Sequence, residues 1–149
     1  MEPTVLLLLG FAANATGYVP HGPPPRITPV SAAFFRARPE CQGIPDCALD
    51  GLFAPTEGKI FIEKRLVGIY RNSVLVHELT HFLQLSNGRF IARSCANYQA
   101  RENQADEVQA KYINSEMRKA GKSDWVWNNE PRGCTESAAG IAASVAPAG

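Results

Sequence analysis

Residues 70–85 have the sequence YRNSVLVHELTHFLQL, and this stretch decides the fold. Its apolar residues recur at the spacing of one helix face. Asn72 or Ser73 is a candidate N-cap, and Asn87-Gly88 is a stop signal for the helix. The pattern therefore predicts a helix whose apolar side packs against the rest of a small domain.

Within this helix, His77-Glu78-Leu79-Thr80-His81 matches the pattern H-E-x-x-H. Histidines at positions i and i+4 project from one helix face, so both imidazoles can reach a single tetrahedral zinc ion. Glu78 stands beside them, where a carboxylate can take a proton from metal-activated water. The alternative is a chance match in which both histidines are ordinary polar residues on an exposed helix face. Against it, the chain has only 3 histidines, and His21 alone lies outside the motif.

A second helix is predicted over residues 99–120, which are rich in Ala, Gln, Glu and Lys and are followed by Gly121. Its apolar stripe consists of Ala105, Val108, Tyr112 and Met117. Tyr98, Arg101 and Tyr112 are candidate hydrogen-bond donors to an oxyanion, although no spacing selects among them and core packing is favoured for Tyr112.

A catalytic zinc ion of this kind needs a third protein ligand and an open fourth position. The longer pattern H-E-x-x-H-x-x-G-x-x-H is excluded, because Gln84 and Asn87 occupy its Gly and last His positions. The second predicted helix carries Glu102 and, one turn later, Asp106. We predict Glu102 as the third zinc ligand and Asp106 as the acceptor of a ring N–H from a ligating histidine.

These two helices resemble the gluzincin metallopeptidases, the group that contains thermolysin and the membrane-bound CAAX-processing peptidases. The resemblance rests on residues 77–81, His-Glu-Leu-Thr-His, and 102–106, Glu-Asn-Gln-Ala-Asp. It implies that His77, His81 and Glu102 bind zinc, that Glu78 acts as the general base, and that Asp106 orients a histidine. The chain also resembles short, uncharacterised, secreted bacterial proteins with this core. It departs from the thermolysin-like enzymes in lacking their large second subdomain.

A β-hairpin is predicted before the first helix. A turn at residues 55–58 separates Leu52-Phe53-Ala54 from an alternating segment that contains Ile60 and Ile62. In gluzincins a strand just before the zinc helix pairs with the substrate backbone, and the resemblance makes residues 59–64 the candidate for that role. An ordinary structural edge strand is an equally good interpretation.

The 4 cysteines suit two disulfides in an oxidising compartment. Cys41 and Cys47 flank a short turn and form a sterically natural pair, which leaves Cys95 for Cys134. A cysteine zinc site is the competing interpretation, but the chain has no C-x-x-C motif.

The N-terminal segment, residues 1–18, resembles an export signal. An apolar run over residues 5–13 is followed by the small residues of Ala12-Ala13-Asn14-Ala15, although Glu2 stands where a basic residue is expected. A buried first strand or helix is the alternative. Residues 19–39 are rich in proline and are expected to be extended or irregular.

Charge and hydropathy restrict the partners. The formal net charge of +1 provides no basic field for nucleic acid. No segment approaches the roughly 20 apolar residues that span a bilayer, so stable membrane insertion is not expected. The expected partner is a protein or peptide substrate, met in a secreted or periplasmic setting.

Taken together, the sequence predicts an α+β, minimal zincin-like domain over residues 19–135, followed by a disordered tail over residues 136–149. In this domain a small sheet or hairpin packs on the HExxH helix, and a second helix carries the third ligand. The expected activity is zinc-dependent peptide hydrolysis with Glu78 as base. The alternatives are a secreted zinc-binding domain without catalysis and an amidase acting on cell-wall peptide.

Overall fold

The computed structural model describes residues 3–43, 49–125, 134–137 and 140–143. The helices are α1 (Pro3–Thr16), α2 (Ala32–Arg36), α3 (Gly68–Ser86) and α4 (Cys95–Lys119). The strands are β1 (Arg26–Val30), β2 (Gly51–Ala54), β3 (Lys59–Glu63), β4 (Cys134–Ser137) and β5 (Gly140–Ala143). A small sheet packs against the helices, so the predicted α+β class is confirmed.

The main sheet has the strand order β1-β3-β2. β2 and β3 form the predicted antiparallel hairpin, with Leu52 opposite Phe61 and Phe53 opposite Ile60. The turn contains a single 3-10 turn, Pro55–Glu57, and closes at Gly58, whose φ of 63° is the left-handed conformation that favours glycine. β3 is the central strand of this sheet. Its residues face the two sides of the sheet alternately, and those on both sides are buried.

The proline-rich segment before the hairpin is more regular than the sequence indicates. β1 pairs in parallel with β3, and α2 follows with the Ser31 hydroxyl accepting a hydrogen bond of 3.3 Å from the Phe34 N–H. Pro29 has no N–H to donate, which an edge strand tolerates and a central strand would not. The strand β1 agrees with the expected extended conformation, although its pairing partner lies some thirty residues along the chain, whereas the short helix α2 was not expected there.

Helix α3 starts earlier than predicted. Its N-cap is Val67, which makes no side-chain cap, and neither Asn72 nor Ser73 serves as the cap. Ser73 instead lies inside the helix, fully buried, and its hydroxyl donates to the Tyr70 carbonyl at 2.7 Å. The predicted stop is confirmed, since the helix ends at Asn87 and Gly88 takes a φ of 63°.

Helix α4 packs along α3 and also begins earlier than predicted. The Ser94 hydroxyl caps it by accepting a hydrogen bond of 3.1 Å from the Asn97 N–H, so Cys95 is its first residue and not part of a loop. The predicted stripe is buried at Ala105, Val108 and Tyr112 and half-buried at Met117. The core position favoured for Tyr112 is thus confirmed.

Helix α1 contributes to the same core. Its buried face packs on α3 and α4, and the Phe11 ring meets the Tyr112 ring edge-on at 5.4 Å between centroids. The buried residues of this face are Val5, Leu8, Leu9 and Ala12. The segment thus forms the buried helix that was the alternative to an export signal. Its role in export stays a prediction. None of the described helices is both long enough and apolar enough to cross a bilayer.

A disulfide joins Cys95, at the start of α4, to Cys134, as predicted. Cys41 is also disulfide-bonded, and its predicted partner Cys47 lies outside the described residues. In the region of the predicted tail β5 pairs with β4 in antiparallel register, and the disorder expected over residues 136–149 stays a prediction. The disulfide anchors β4 on α4, and the amino-acid composition of the tail gives no sign of this constraint. Residues 138–139 and 144–149 of the predicted tail lie outside the described residues.

The sheet lies close to α3 at Gly51. A Cβ added there would lie 2.7 Å from Val74 Cγ1 and 3.2 Å from Glu78 Cγ. We expect Gly51→Ala to reduce the free energy of unfolding by about 1–3 kcal/mol, the usual cost of overpacking. Urea denaturation followed by circular dichroism measures this change.

The matched control is Gly10→Ala. Gly10 lies within α1 and an added Cβ would meet no atom within 4 Å, so this substitution should be neutral or stabilising by up to about 1 kcal/mol. Equal unfolding midpoints for Gly51→Ala and the wild type would contradict the close approach.

Candidate metal centre

The two histidines of α3 and Glu102 of α4 converge at the interface between the helices. The Nε2 atoms of His77 and His81 lie 3.1 Å apart. The Glu102 carboxylate bridges them, with Oε2 at 3.2 Å from His77 Nε2 and Oε1 at 3.3 Å from His81 Nε2. One ligand atom from each residue falls within 4.8 Å of the others, so this group could hold a metal ion.

His77 is held from its far side by α4. Its Nδ1 lies 3.2 Å from Asp106 Oδ1 and 3.0 Å from Gln109 Oε1, and both partners are buried. Because these oxygens can only accept, Nδ1 carries the hydrogen, and in the neutral ring Nε2 then presents a lone pair to the site. The Gln109 amide is fixed in turn, since its Nε2 donates to the Ser73 hydroxyl at 3.1 Å.

His81 is oriented by an amide. Its Nδ1 lies 2.8 Å from Gln84 Oε1, one turn further along α3. Gln84 Nε2 donates to the Arg101 carbonyl at 2.9 Å and to Gln104 Oε1 at 3.0 Å. The amide orientation is thereby set, because a reversed Gln84 would direct its oxygen at two acceptors. Both imidazoles therefore have buried partners at Nδ1 and turn Nε2 toward Glu102.

Glu78 lies on the opposite flank of the histidines, against β2. Its Oε2 accepts a hydrogen bond of 2.9 Å from the Phe53 N–H. Its Oε1 is buried and has no hydrogen-bond partner among the described residues. Burial raises the pKa of Glu78, because the charged carboxylate is poorly solvated there. An unsatisfied carboxylate oxygen in a buried site indicates a missing partner such as a water molecule or an ion.

The charges of the site compensate one another. Burial by itself would lower the pKa of His77, but hydrogen bonds to Asp106 and Glu102 outweigh it and raise that pKa to about 10. Burial opposes ionisation of Glu102 as well, yet the neighbouring His81 and His77 hold its pKa well below the ordinary value. The acidic surroundings thus favour a positive charge between the helices, which a metal cation would supply.

A cleft opens from this site along β2 and the segment between α3 and α4, with a cavity volume of about 400 Å³. Glu78, His81 and Glu102 line its inner end. Of the candidate oxyanion donors, Tyr98 and Arg101 line the cleft, whereas Tyr112 is in the core. The apolar part of the lining includes Leu49, Leu52, Phe53, Leu85, Phe90 and Ile91.

The strand that adjoins the site is not the one that the sequence indicated. Residues 59–64 correspond to β3, which has hydrogen-bonded neighbours on both sides and cannot add a third. The structure places β2 at the edge of the described sheet, with Phe53 bonded to Glu78. The proposed role of residues 59–64 in pairing with substrate was therefore wrong, because β1 covers the side of β3 that the hairpin leaves open.

Sequence reasoning brought together His77, Glu78, His81, Glu102 and Asp106 but missed both glutamines. Gln109 follows Glu102 at i+7 and Asp106 at i+3, which places all three on one face of α4, so helical spacing could have found it. Gln84 follows His81 at i+3 but is otherwise an ordinary helix residue. Nothing in its local sequence distinguishes it from the other glutamines of the chain.

No model of a known protein family matches this chain, and comparisons with curated proteins and with solved structures gave no match. The description of the site therefore depends on its own geometry.

We expect Glu102→Gln to lose metal affinity by at least tenfold, because the amide removes the only negative ligand while keeping the side-chain shape. Elemental analysis and competition with a zinc chelator measure the change. Glu107→Gln is the matched control, since Glu107 is exposed on the same helix and has the same charge. Equal metal content in the two variants would exclude Glu102 as a ligand.

Metal binding should release protons and strengthen as the pH rises between about 6 and 8. With a pKa of about 10, His77 carries a proton at neutral pH that a metal ion must displace. Calorimetric titration of the metal-free protein in buffers of different ionisation enthalpy counts the released protons. A binding enthalpy independent of the buffer would contradict this linkage.

Proposed function

We propose that this protein is a zinc-dependent hydrolase, a metallopeptidase that cleaves peptide bonds. The observation that carries the proposal is the position of Glu78, which lines the same cleft as His81 and Glu102 and whose buried Oε1 has no hydrogen-bond partner among the described residues. A purely structural metal site would need no such carboxylate beside its ligands.

The choice of zinc follows from the donor set. Two imidazoles and one carboxylate form a ligand group of catalytic zinc sites, which keep a fourth position for water or substrate. Purely oxygen-based sites suit magnesium or calcium, and the nitrogen donors of His77 and His81 disfavour those ions. The hydrogen bonds at each Nδ1 are the support that ligating histidines commonly have.

Zinc would supply Lewis acidity, activating water and polarising the scissile carbonyl. In this proposal Glu78 Oε1 takes the proton from that water and later delivers it to the leaving amine. The Phe53 N–H holds Oε2, so Oε1 is the oxygen assigned to proton transfer. The raised pKa of Glu78 suits a group that must both accept and return a proton near neutral pH.

The edge of β2 is suited to an extended peptide. The Asp50 carbonyl accepts a hydrogen bond of 2.9 Å from the Glu63 N–H, so the backbone groups of Asp50 face β3. Because these directions alternate along a strand, those of Gly51 and Phe53 face away from β3. The Phe53 N–H is used by Glu78, which leaves the Phe53 carbonyl to accept from a substrate N–H.

The Cys95–Cys134 disulfide is compatible with an oxidising compartment. It supports the further proposal that the protein acts outside the cytoplasm, in a secreted or periplasmic setting. Substrates there would be proteins or peptides, including the peptide part of a cell wall.

We expect Glu78→Gln to reduce hydrolysis of fluorescein-labelled casein by about 10²-fold or more while zinc content stays near that of the wild type. The amide retains the shape of the side chain but cannot accept the proton. Activity is measured as release of soluble fluorescence, with Glu107→Gln as the control of equal charge change.

Full activity in Glu78→Gln would exclude Glu78 as the base. A wild-type protein that binds zinc stoichiometrically yet cleaves neither casein nor cell-wall peptide would favour the other interpretation, a zinc-binding interaction domain without catalysis.

A further inference from the structure

The cleft beside the metal centre combines an apolar lining with two arginines. Arg101 immediately precedes Glu102 on α4, and Arg89 lies just after α3. Between them the wall is formed by apolar and aromatic side chains, among them Leu85, Phe90 and Tyr98. The cavity volume of about 400 Å³ lies toward the lower end of the usual range for ligand pockets, which fits a short segment of a larger molecule.

Arg101 is held in place at both its backbone and its side chain. Its carbonyl accepts the hydrogen bond from Gln84 Nε2 at 2.9 Å, the same amide that orients His81. Its guanidinium carbon lies 5.5 Å from the centroid of the Tyr98 ring, a cation–π arrangement that leaves the N–H edges free to donate. Arg101 is half-buried, so its charge is less screened than that of a surface arginine.

Arg89 is exposed, lines the same cleft and lies against aromatic rings. Its guanidinium carbon is 5.8 Å from the centroids of both Tyr18 and Phe90. Among the described residues, neither Arg89 nor Arg101 forms an ion pair within 4.0 Å, whereas Arg38, Arg65 and Arg118 all do.

Among the described residues, none of the carboxylates that line the cleft pairs with either arginine. Glu102 contacts both imidazoles, and Glu78 accepts from the Phe53 N–H. Glu40 pairs with Arg38 at 3.1 Å. Among the described residues the two arginines thus have no ion-pair partner, and the ligand that complements them is an anion beside an apolar group.

We propose that this cleft binds a carboxylate of the substrate, with Arg101 as its principal partner and Arg89 as a second, outer cation. The inference rests on the proposed peptidase function and specifies its substrate class. The carboxylate is either the C-terminus of a short peptide or an acidic side chain close to the scissile bond, and an adjoining apolar side chain packs on Leu85 and Phe90. Planar guanidinium groups suit this role because they can donate two parallel hydrogen bonds to one carboxylate.

Binding is tested in the zinc-loaded Glu78→Gln variant, so that no probe is cleaved. Three fluorescent probes are titrated: dansyl-Gly-Phe-Leu with a free carboxylate, its C-terminal amide, and dansyl-Gly-Phe-Asp amide. We expect the free acid or the aspartyl probe to bind about tenfold or more tightly than the uncharged amide, as for a charge-assisted hydrogen bond. The probe that shows the preference identifies the source of the carboxylate.

Introduced into the Glu78→Gln variant, Arg101→Gln should remove the preference for a carboxylate probe. Arg89→Gln should reduce this preference, and Arg101→Lys should retain part of it. Arg93→Gln is the control, since Arg93 is exposed on the segment between α3 and α4 and does not line the cleft. The ratio of affinities is the informative quantity, because a merely structural effect of Arg101→Gln would weaken all three probes alike. The same ratio is measured in metal-free protein, where a carboxylate bound by the metal alone would lose its advantage.

Equal affinities for all three probes, or a preference that survives Arg101→Gln or vanishes with the metal, would overturn the assignment. These results are separable from failure of the proposed function. The peptidase activity of the wild type tests the proposed hydrolysis. The ratio of probe affinities tests recognition separately, because it is measured in a variant that does not need to cleave the probes.

Discussion

The rest of the structure depends on one buried contact, the bridge that Glu102 makes between His77 and His81. The Glu102 carboxylate and the His77 imidazole are buried at the interface of α3 and α4, and the His81 side chain is 11% exposed. Such burial is costly unless every charge is compensated, and deleting one partner of a buried pair commonly costs about 3–5 kcal/mol. The interface is therefore polar at its centre and needs an apolar surround to hold it. α1 and the inner face of the sheet provide that surround, packing on α3 through Leu75, Leu79 and Leu83.

The compensation is shared between a carboxylate and two amides. Asp106 and Gln109 contact His77 Nδ1, and Gln84 contacts His81 Nδ1. Gln84 extends further, through Gln104 to the Tyr18 hydroxyl just after α1. The orientation of one imidazole is thus tied to α4 and to the segment that follows α1, so the site is fixed by tertiary packing and not by α3 alone.

The parts predictable from the sequence are those encoded by spacing within one helix. His77, Glu78 and His81 lie on α3, and Glu102 and Asp106 share a face of α4, because i, i+4 periodicity needs no knowledge of the partner helix. The hairpin was predictable for a similar reason, since its turn is local. β1 was not, because a parallel pairing with β3 leaves no local signal. The start of α3 was missed because it has no side-chain cap, so Ser73, a good cap by type, was misassigned.

Gly51 connects the sheet to the chemistry that we propose. Without a side chain it lets β2 lie directly on Val74 and Glu78. At that distance the Phe53 N–H can bond Glu78 Oε2, which leaves Oε1 without a hydrogen-bond partner among the described residues. The alternation of the strand then directs the Phe53 carbonyl toward the same side. One close approach therefore sets both the orientation of the proposed base and the position of the strand edge that a substrate would meet. A substrate aligned on that edge needs no mobile element to reach Glu78, so a sheet of three strands can be sufficient for a domain of this size.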